Sequence, residues 1–132
     1  MIYKQLTWLD STRRIHRLAP ESRSFPGWSD LGSSLAAVVR TPEEITVITD
    51  DDGANPAQGP SSGPWSTFRV RGAIPHDVTG VLAGMSTALA EAGIPIFVVS
   101  TFDTDYVMVP TERMSDTSEA LARAGYRFEN TP

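Results

Sequence analysis

The chain contains no cysteine. Disulfide scaffolds, thiolate zinc sites and cysteine nucleophiles are therefore excluded. No apolar run approaches the roughly 18–20 residues that a membrane span requires, and Met1-Ile-Tyr-Lys-Gln-Leu6 lacks the apolar centre of a secretory signal. Positive charge is scarce: eleven Lys and Arg against sixteen Asp and Glu give a net charge of −5. Nucleic-acid binding is dominated by basic side chains meeting phosphates, so this balance argues against it. The only near-cluster, Arg13, Arg14 and Arg17, reads as a solvated strand face. His16 and His76 stand too far apart in sequence to suggest a metal pair. The expectation is a soluble cytoplasmic protein with no nucleic-acid or membrane partner and no cofactor.

What is present is a pattern written twice. Leu89-Ala-Glu-Ala-Gly-Ile94 and Leu121-Ala-Arg-Ala-Gly-Tyr126 each read as a helix end, a glycine stop and the approach to a strand. Between them, residues 94–100 and 106–110 are β-rich and joined by a polar turn. With a strand over residues 66–72 and a closing strand over 126–129, the order is strand, helix, strand, strand, helix, strand. This split βαβ arrangement makes an antiparallel sheet with both helices on one face, an α+β fold. Val78, Val81, Leu82, Met85 and Leu89 follow helical spacing, with Asp77 as the expected N-cap and Gly93 at C′. Asp116 followed by Glu119 predicts a capping box for the second helix, whose apolar stripe is Ala120, Leu121 and Ala124.

The first part of the chain is less regular. Residues 12–18, 34–40 and 44–50 are β-like, and Thr41-Pro42 predicts a tight hairpin between the last two. Residues 20–30, containing Phe25-Pro-Gly-Trp28, have no clear helical period. Residues 51–64 are rich in Asp, Gly, Pro and Ser and read as a linker. The expected division is an N-terminal unit over 1–50, a linker over 51–64 and a C-terminal domain over 65–132. Because the N-terminal part has strands but no helical stripe, each half is expected to lend strands to the other.

Catalytic and metal motifs fail on inspection. Asp50, Asp52 and Gly53 fall at three positions of a calcium loop, but Ile48 and Gly59 then occupy its first and last ligand positions. Gly84-Met-Ser-Thr-Ala88 brushes the nucleophile-elbow pattern, yet Ser86 lies inside the expected helix rather than on a strand-to-helix turn. His76 sits in the loop feeding the first helix, where it faces either solvent or a ligand. Asp103 suits a turn residue, and Asp105, at a strand start, could hold a cation. Gly80 and Gly84 each cost about 1 kcal/mol in a helix relative to alanine, which suggests close approach by a sheet, a subunit or a ligand.

Thr41-Pro-Glu-Glu-Ile-Thr-Val-Ile48, Thr79-Gly-Val-Leu-Ala83, Ala92-Gly-Ile-Pro-Ile-Phe97 and Ser100-Thr-Phe-Asp-Thr-Asp-Tyr106 together resemble the small ACT-domain proteins. The resemblance runs over roughly residues 34–129 and points to the group related to aspartokinase regulatory regions and the CASTOR arginine sensors. It implies two ferredoxin-like ACT units per chain with exchanged strands, the first of them degenerate. It also implies amino-acid binding at Pro75, His76, Asp77, Val78, Thr79, Gly80, Val81 and Leu82, and at Thr101, Phe102 and Asp105 on the turn. Backbone near Ala37 and Val38 would complete the site. The function so implied is a non-catalytic regulatory module that binds an amino acid. One alternative is an interaction module that has lost its ligand, and another is a small enzyme acting through His76 and Asp105. Val98, Val107 and Val109, on a sheet covered from one side, suggest a homodimer.

Overall fold

The computed structural model describes residues 3–23, 27–32, 34–51 and 59–131. In chain order the elements are β1 (Gln5–Trp8), β2 (Arg13–Leu18), a 3-10 turn (Trp28–Leu31), β3 (Ala37–Arg40), β4 (Ile45–Asp50) and β5 (Ser61–Val70). There follow α1 (Val81–Glu91), β6 (Phe97–Ser100), β7 (Asp105–Pro110), a second 3-10 turn (Thr111–Arg113), α2 (Met114–Arg123) and β8 (Arg127–Phe128). The chain forms two compact units, Met1–Asp10 with Ser66–Pro132, and Ser11–Trp65. The first is the helical unit and the second the strand unit.

In the helical unit the strands run β8-β1-β5-β7-β6. Without β1 this is the order of the split βαβ fold. β1 pairs antiparallel with β5, Leu6 opposite Val70 and Trp8 opposite Phe68, and parallel with β8. One parallel pair therefore interrupts the expected antiparallel sheet. Leu6 and Trp8 alternate with Gln5 and Thr7, so the apolar side of β1 enters the core. There Trp8 stacks on Phe128 at 4.7 Å between ring centroids and meets Phe68 edge-on at 5.3 Å. Met85 and Leu89 of α1 and Ala120 and Leu121 of α2 close over the same core.

Both repeated segments end their helices identically. Gly93 and Gly125 adopt φ of +71° and +90°. The N–H of Gly93 donates to Ala90 and that of Ile94 to Leu89, while Gly125 donates to Ala122 and Tyr126 to Leu121. These are Schellman ends, each sealed by a buried apolar residue just beyond the glycine. A distant cation completes each one. Arg113 donates to the Ala92 and Gly93 carbonyls, and Lys4 Nζ to Ala124 at 2.8 Å.

The strand unit orders its strands β3-β4-β2-β5, with all three neighbouring pairs antiparallel. This again is the split βαβ order, but a 3-10 turn stands where the first helix would be. Leu18, Leu31, Ile45 and Val47 form its small apolar core.

Several expectations change. β1 falls in a stretch that sequence periodicity left unassigned. The division at 50 and 65 gives way to one in which the first ten residues join the C-terminal part. Residues 61–64 of the expected linker are strand, because Ser61 and Ser62 pair with His16 and Ile15 of β2. Tertiary pairing overrides the weak β-propensity of Ser, Gly and Pro. Residues 52–58, with the Asp52 and Gly53 calcium positions, and Phe25-Pro26 lie outside the described residues.

Helix α1 starts after Gly80, not at Asp77, and no side chain caps it. Helix α2 starts at Met114, so Asp116 lies within its first turn and accepts from Arg113 Nε at 2.9 Å instead of closing a capping box. Arg13 is not on a solvated face. It is fully buried and donates to Asp50 at 2.6 Å and to Ser11 Oγ at 2.5 Å. Val98, Val107 and Val109 point into the helix-covered core, so they are not the open face of the sheet. The other side of the β6–β7 hairpin carries Phe97, Val99, Tyr106 and Met108, with Phe97 opposite a fully buried Met108 and Val99 opposite Tyr106.

Candidate functional site

The helical unit carries a pocket of about 250 Å³ where the β5–α1 loop meets the β6–β7 turn. Hydrogen bonds hold the two segments together. The Ile74 N–H donates to the Asp103 carbonyl at 2.6 Å, and His76 Nε2–H donates to the Phe102 carbonyl at 2.8 Å. Thr104 Oγ1 donates to Val70 at 2.9 Å from a nearly buried position. Thr101 and Thr104 close the turn, the Thr101 N–H reaching the Thr104 carbonyl at 2.8 Å. The His76 and Phe102 rings also meet edge-to-face at 4.6 Å. An exposed aromatic thus stands at the pocket mouth, fixed through its own backbone.

The chemistry of the lining is two-sided. On one side is the start of α1, whose first N–H groups have no partner within the helix. With no capping side chain and no acidic residue in the first turn, this end keeps its partial positive charge. On the other side is Asp105, whose Oδ1 accepts from Ser100 Oγ at 2.7 Å. Ile74, Pro75, Val78, Val81 and Leu82 supply apolar wall between them. No titratable group here has the burial or paired charge that marks acid–base catalysis. Among the described residues no group of three His, Asp or Glu is placed to hold a metal.

The two glycines have different causes. Gly80 takes φ of +82°, and a Cβ there would meet nothing within 4 Å. It allows the chain to turn into the helix beside the pocket, since only glycine adopts that backbone cheaply. Gly84 lies inside α1, where a Cβ would collide with the Tyr126 hydroxyl. Its role is packing between α1 and the start of β8.

Of the residues suggested by sequence, Pro75, His76, Val78, Gly80, Val81, Leu82, Thr101, Phe102 and Asp105 line this one pocket. Asp77 and Thr79 lie in the same loop but outside the lining, both exposed. Val38 belongs to the strand unit, on β3, where it lines another cavity. Ile74, Asp103 and Thr104 line the pocket without having been singled out for binding. Their role depends on how the turn docks on the loop, which no local motif encodes.

Residues 61–123 match the model of a family described as the ACT domain. The Agobacterium tumefaciens protein Atu0741 is 30% identical, with a TM-score of 0.83 over 96% of this chain and 94% of that one. The chain belongs to the ACT-domain family. A Vibrio cholerae protein, VC0802, described as a possible transport protein, is 22% identical with a TM-score of 0.68, covering 93% of this chain and 92% of that one. The ligand-free regulatory subunit of aspartate kinase from Thermus thermophilus is 15% identical with a TM-score of 0.64, covering 90% and 95%. At such identities the last two speak for the shared fold. The family match ends at residue 123, so β1 and β8, which lie side by side, fall outside it. An ACT domain of this kind points to a regulatory module, and such domains are generally non-catalytic. No helix among the described residues is long and apolar enough to cross a membrane.

Proposed function

We propose that the protein is a non-catalytic regulatory module that binds a free amino acid in the pocket between the β5–α1 loop and the β6–β7 turn. The observation that carries this reading is the placement of the uncapped α1 N-terminus and the Asp105 carboxylate around one pocket. A helix N-terminus favours a carboxylate. A carboxylate such as Asp105 favours a cationic amine, through a charge-assisted bond. A zwitterion satisfies both, and the modest volume suits a small one. The aspartate kinase regulatory subunit among the structural neighbours is consistent with such a role. We further infer that copies of the chain associate as a cytoplasmic homodimer through β6. Among the described residues the strand neighbour of β6 is β7 alone, so β6 lies at the edge of the sheet, the kind of edge that pairing covers.

The test is thermal unfolding against each of the twenty amino acids. A specific ligand at 100 times its Kd stabilises the folded chain by about 2.7 kcal/mol. One or a few amino acids should raise the transition, and Asp105→Asn should weaken the effect by about 1.5–3 kcal/mol of binding energy. If none of the twenty shifts the transition, the reading fails.

A further inference from the structure

The strand unit holds a second cavity, larger than the first, that the amino-acid pocket leaves unexplained. It measures about 560 Å³. Leu18 of β2, Val38 of β3 and Ile45 of β4 form its floor, all part of or packed on the unit's small core. Its rim is charged, carrying Arg23, Arg40 and Glu21. All three rim side chains are exposed.

What sets two arginines apart is where they stand. Arg13, Arg14, Arg71 and Arg113 are each in an ion pair. Arg69 donates to a backbone carbonyl. Among the described residues Arg17, Arg23, Arg40, Arg123 and Arg127 have no side-chain partner, and of these five Arg23 and Arg40 stand together on this one cavity. Two guanidinium groups against one carboxylate leave the rim with one net positive charge. A guanidinium presents paired N–H donors that match the two oxygens of a carboxylate. The aliphatic floor, by contrast, offers a ligand only apolar contact.

We propose that this cavity binds a small aliphatic monocarboxylate, its acid group held by Arg23 and Arg40 and its chain laid on Leu18, Val38 and Ile45. One negative charge matches the rim. A hydrocarbon chain matches the floor, which a polyphosphate or a sugar would leave unused. Glu21 disfavours a second acid group, so the fit is to a monoacid rather than a diacid.

The probe is hexanoate, added to the full chain labelled with nitrogen-15, with amide shifts followed by NMR. Saturable shifts are expected at Leu18, Val38 and Ile45 and their strand neighbours. Butanoate should bind more weakly by about fourfold for each methylene removed, since burying one methylene is worth ~0.8 kcal/mol. Hexanol, with the chain but not the acid, should bind at least tenfold more weakly, as should hexanoate to Arg40→Gln or Arg23→Gln. Both arginines are exposed, and unchanged melting of the variants verifies their fold. The proposal is overturned if hexanoate gives no saturable shifts on these strands, if hexanol binds equally well, or if both variants bind as the parent does. Shifts confined to residues 74–82 and 101–105 would assign hexanoate to the other pocket and also overturn it, without bearing on the amino-acid reading.

Discussion

The two units share a strand order but not a way of being stable. In the helical unit, α1 and α2 cover a core of large apolar side chains from β1, β5 and β7. In the strand unit a 3-10 turn and the cluster of Leu18, Leu31, Ile45 and Val47 do that work, and Ile48, Arg13, His16 and Thr49 are buried as well. Among the described residues the same strand order therefore exists with a helix after its first strand and with a 3-10 turn in that place. Strand pairing sets the topology, and the helices supply apolar cover. The strand unit also buries polar side chains, among them Arg13, which is paired with the partly exposed Asp50. Such a pair adds little net stability, because desolvation offsets its attraction, although breaking it is costly.

The sharpest way to break this comparison is through β1, which comes from the start of the chain yet belongs to the helical unit. Trp8 is 3% exposed and lies between Phe68 and Phe128. Trp8→Ala should cost about 3–5 kcal/mol of unfolding free energy in urea denaturation, the usual range for a buried aromatic. It should do so with folding still cooperative in the rest of the chain. A loss below about 1 kcal/mol, the scale of an ordinary substitution, would mean that β1 is an accessory strand rather than part of the core.

The second test separates the two glycines of α1. Replacing Gly84 by alanine gains helix propensity of about 1 kcal/mol. Here it also drives a Cβ into the Tyr126 hydroxyl. Gly84→Ala alone should therefore destabilise the chain. In a Tyr126→Phe background, with the hydroxyl removed, the same change should stabilise by up to about 1 kcal/mol. The double-mutant coupling in thermal unfolding reads the contact directly. Additive effects would show that Gly84 is tolerated for reasons other than Tyr126.

How much of this was legible beforehand follows the same division. The helical unit announces itself through the repeated Leu-Ala-x-Ala-Gly ends and the helical spacing of Met85 and Leu89, both local signals. The loop and turn residues of the pocket were reached through family resemblance, whereas Ile74 and Thr104 were not, since only the docking of the turn on the loop brings them in. β1 escaped because four residues of alternation, Gln5 to Trp8, are too short to stand out. Ser61 and Ser62 escaped because their strand state comes from pairing with β2. Arg13 was misplaced because a strand run of Arg, Arg, Ile, His, Arg suggests solvent, while Asp50, 37 residues away, takes it inside.

The smallest effect expected is a pH dependence that belongs to the strand unit alone. His16 is 3% exposed, and its Nε2 lies 3.0 Å from Thr49 Oγ1. Its Nδ1 is buried with no hydrogen-bond partner among the described residues. Burial first, and then the nearby Arg14 charge, lower its pKa from 6.5, opposed in part by Asp51. The folded chain therefore holds this imidazole neutral at a pH where the unfolded chain has begun to protonate it. The unfolded state binds more protons in that window, so stability rises with pH there. Put the other way, the His16 contribution is fully present above pH 6.5 and is lost as pH falls below it toward the lowered folded value. The carboxylates give a separate acid limb lower down, so the comparison to make is between the parent and His16→Gln. Urea midpoints measured from pH 7.5 to 5 should fall for the parent and fall less for the variant. The difference between the two should open just below pH 6.5. Parallel curves would show that His16 is protonated as readily inside the sheet as outside it, and that the strand unit's interior is more open to water than its geometry implies.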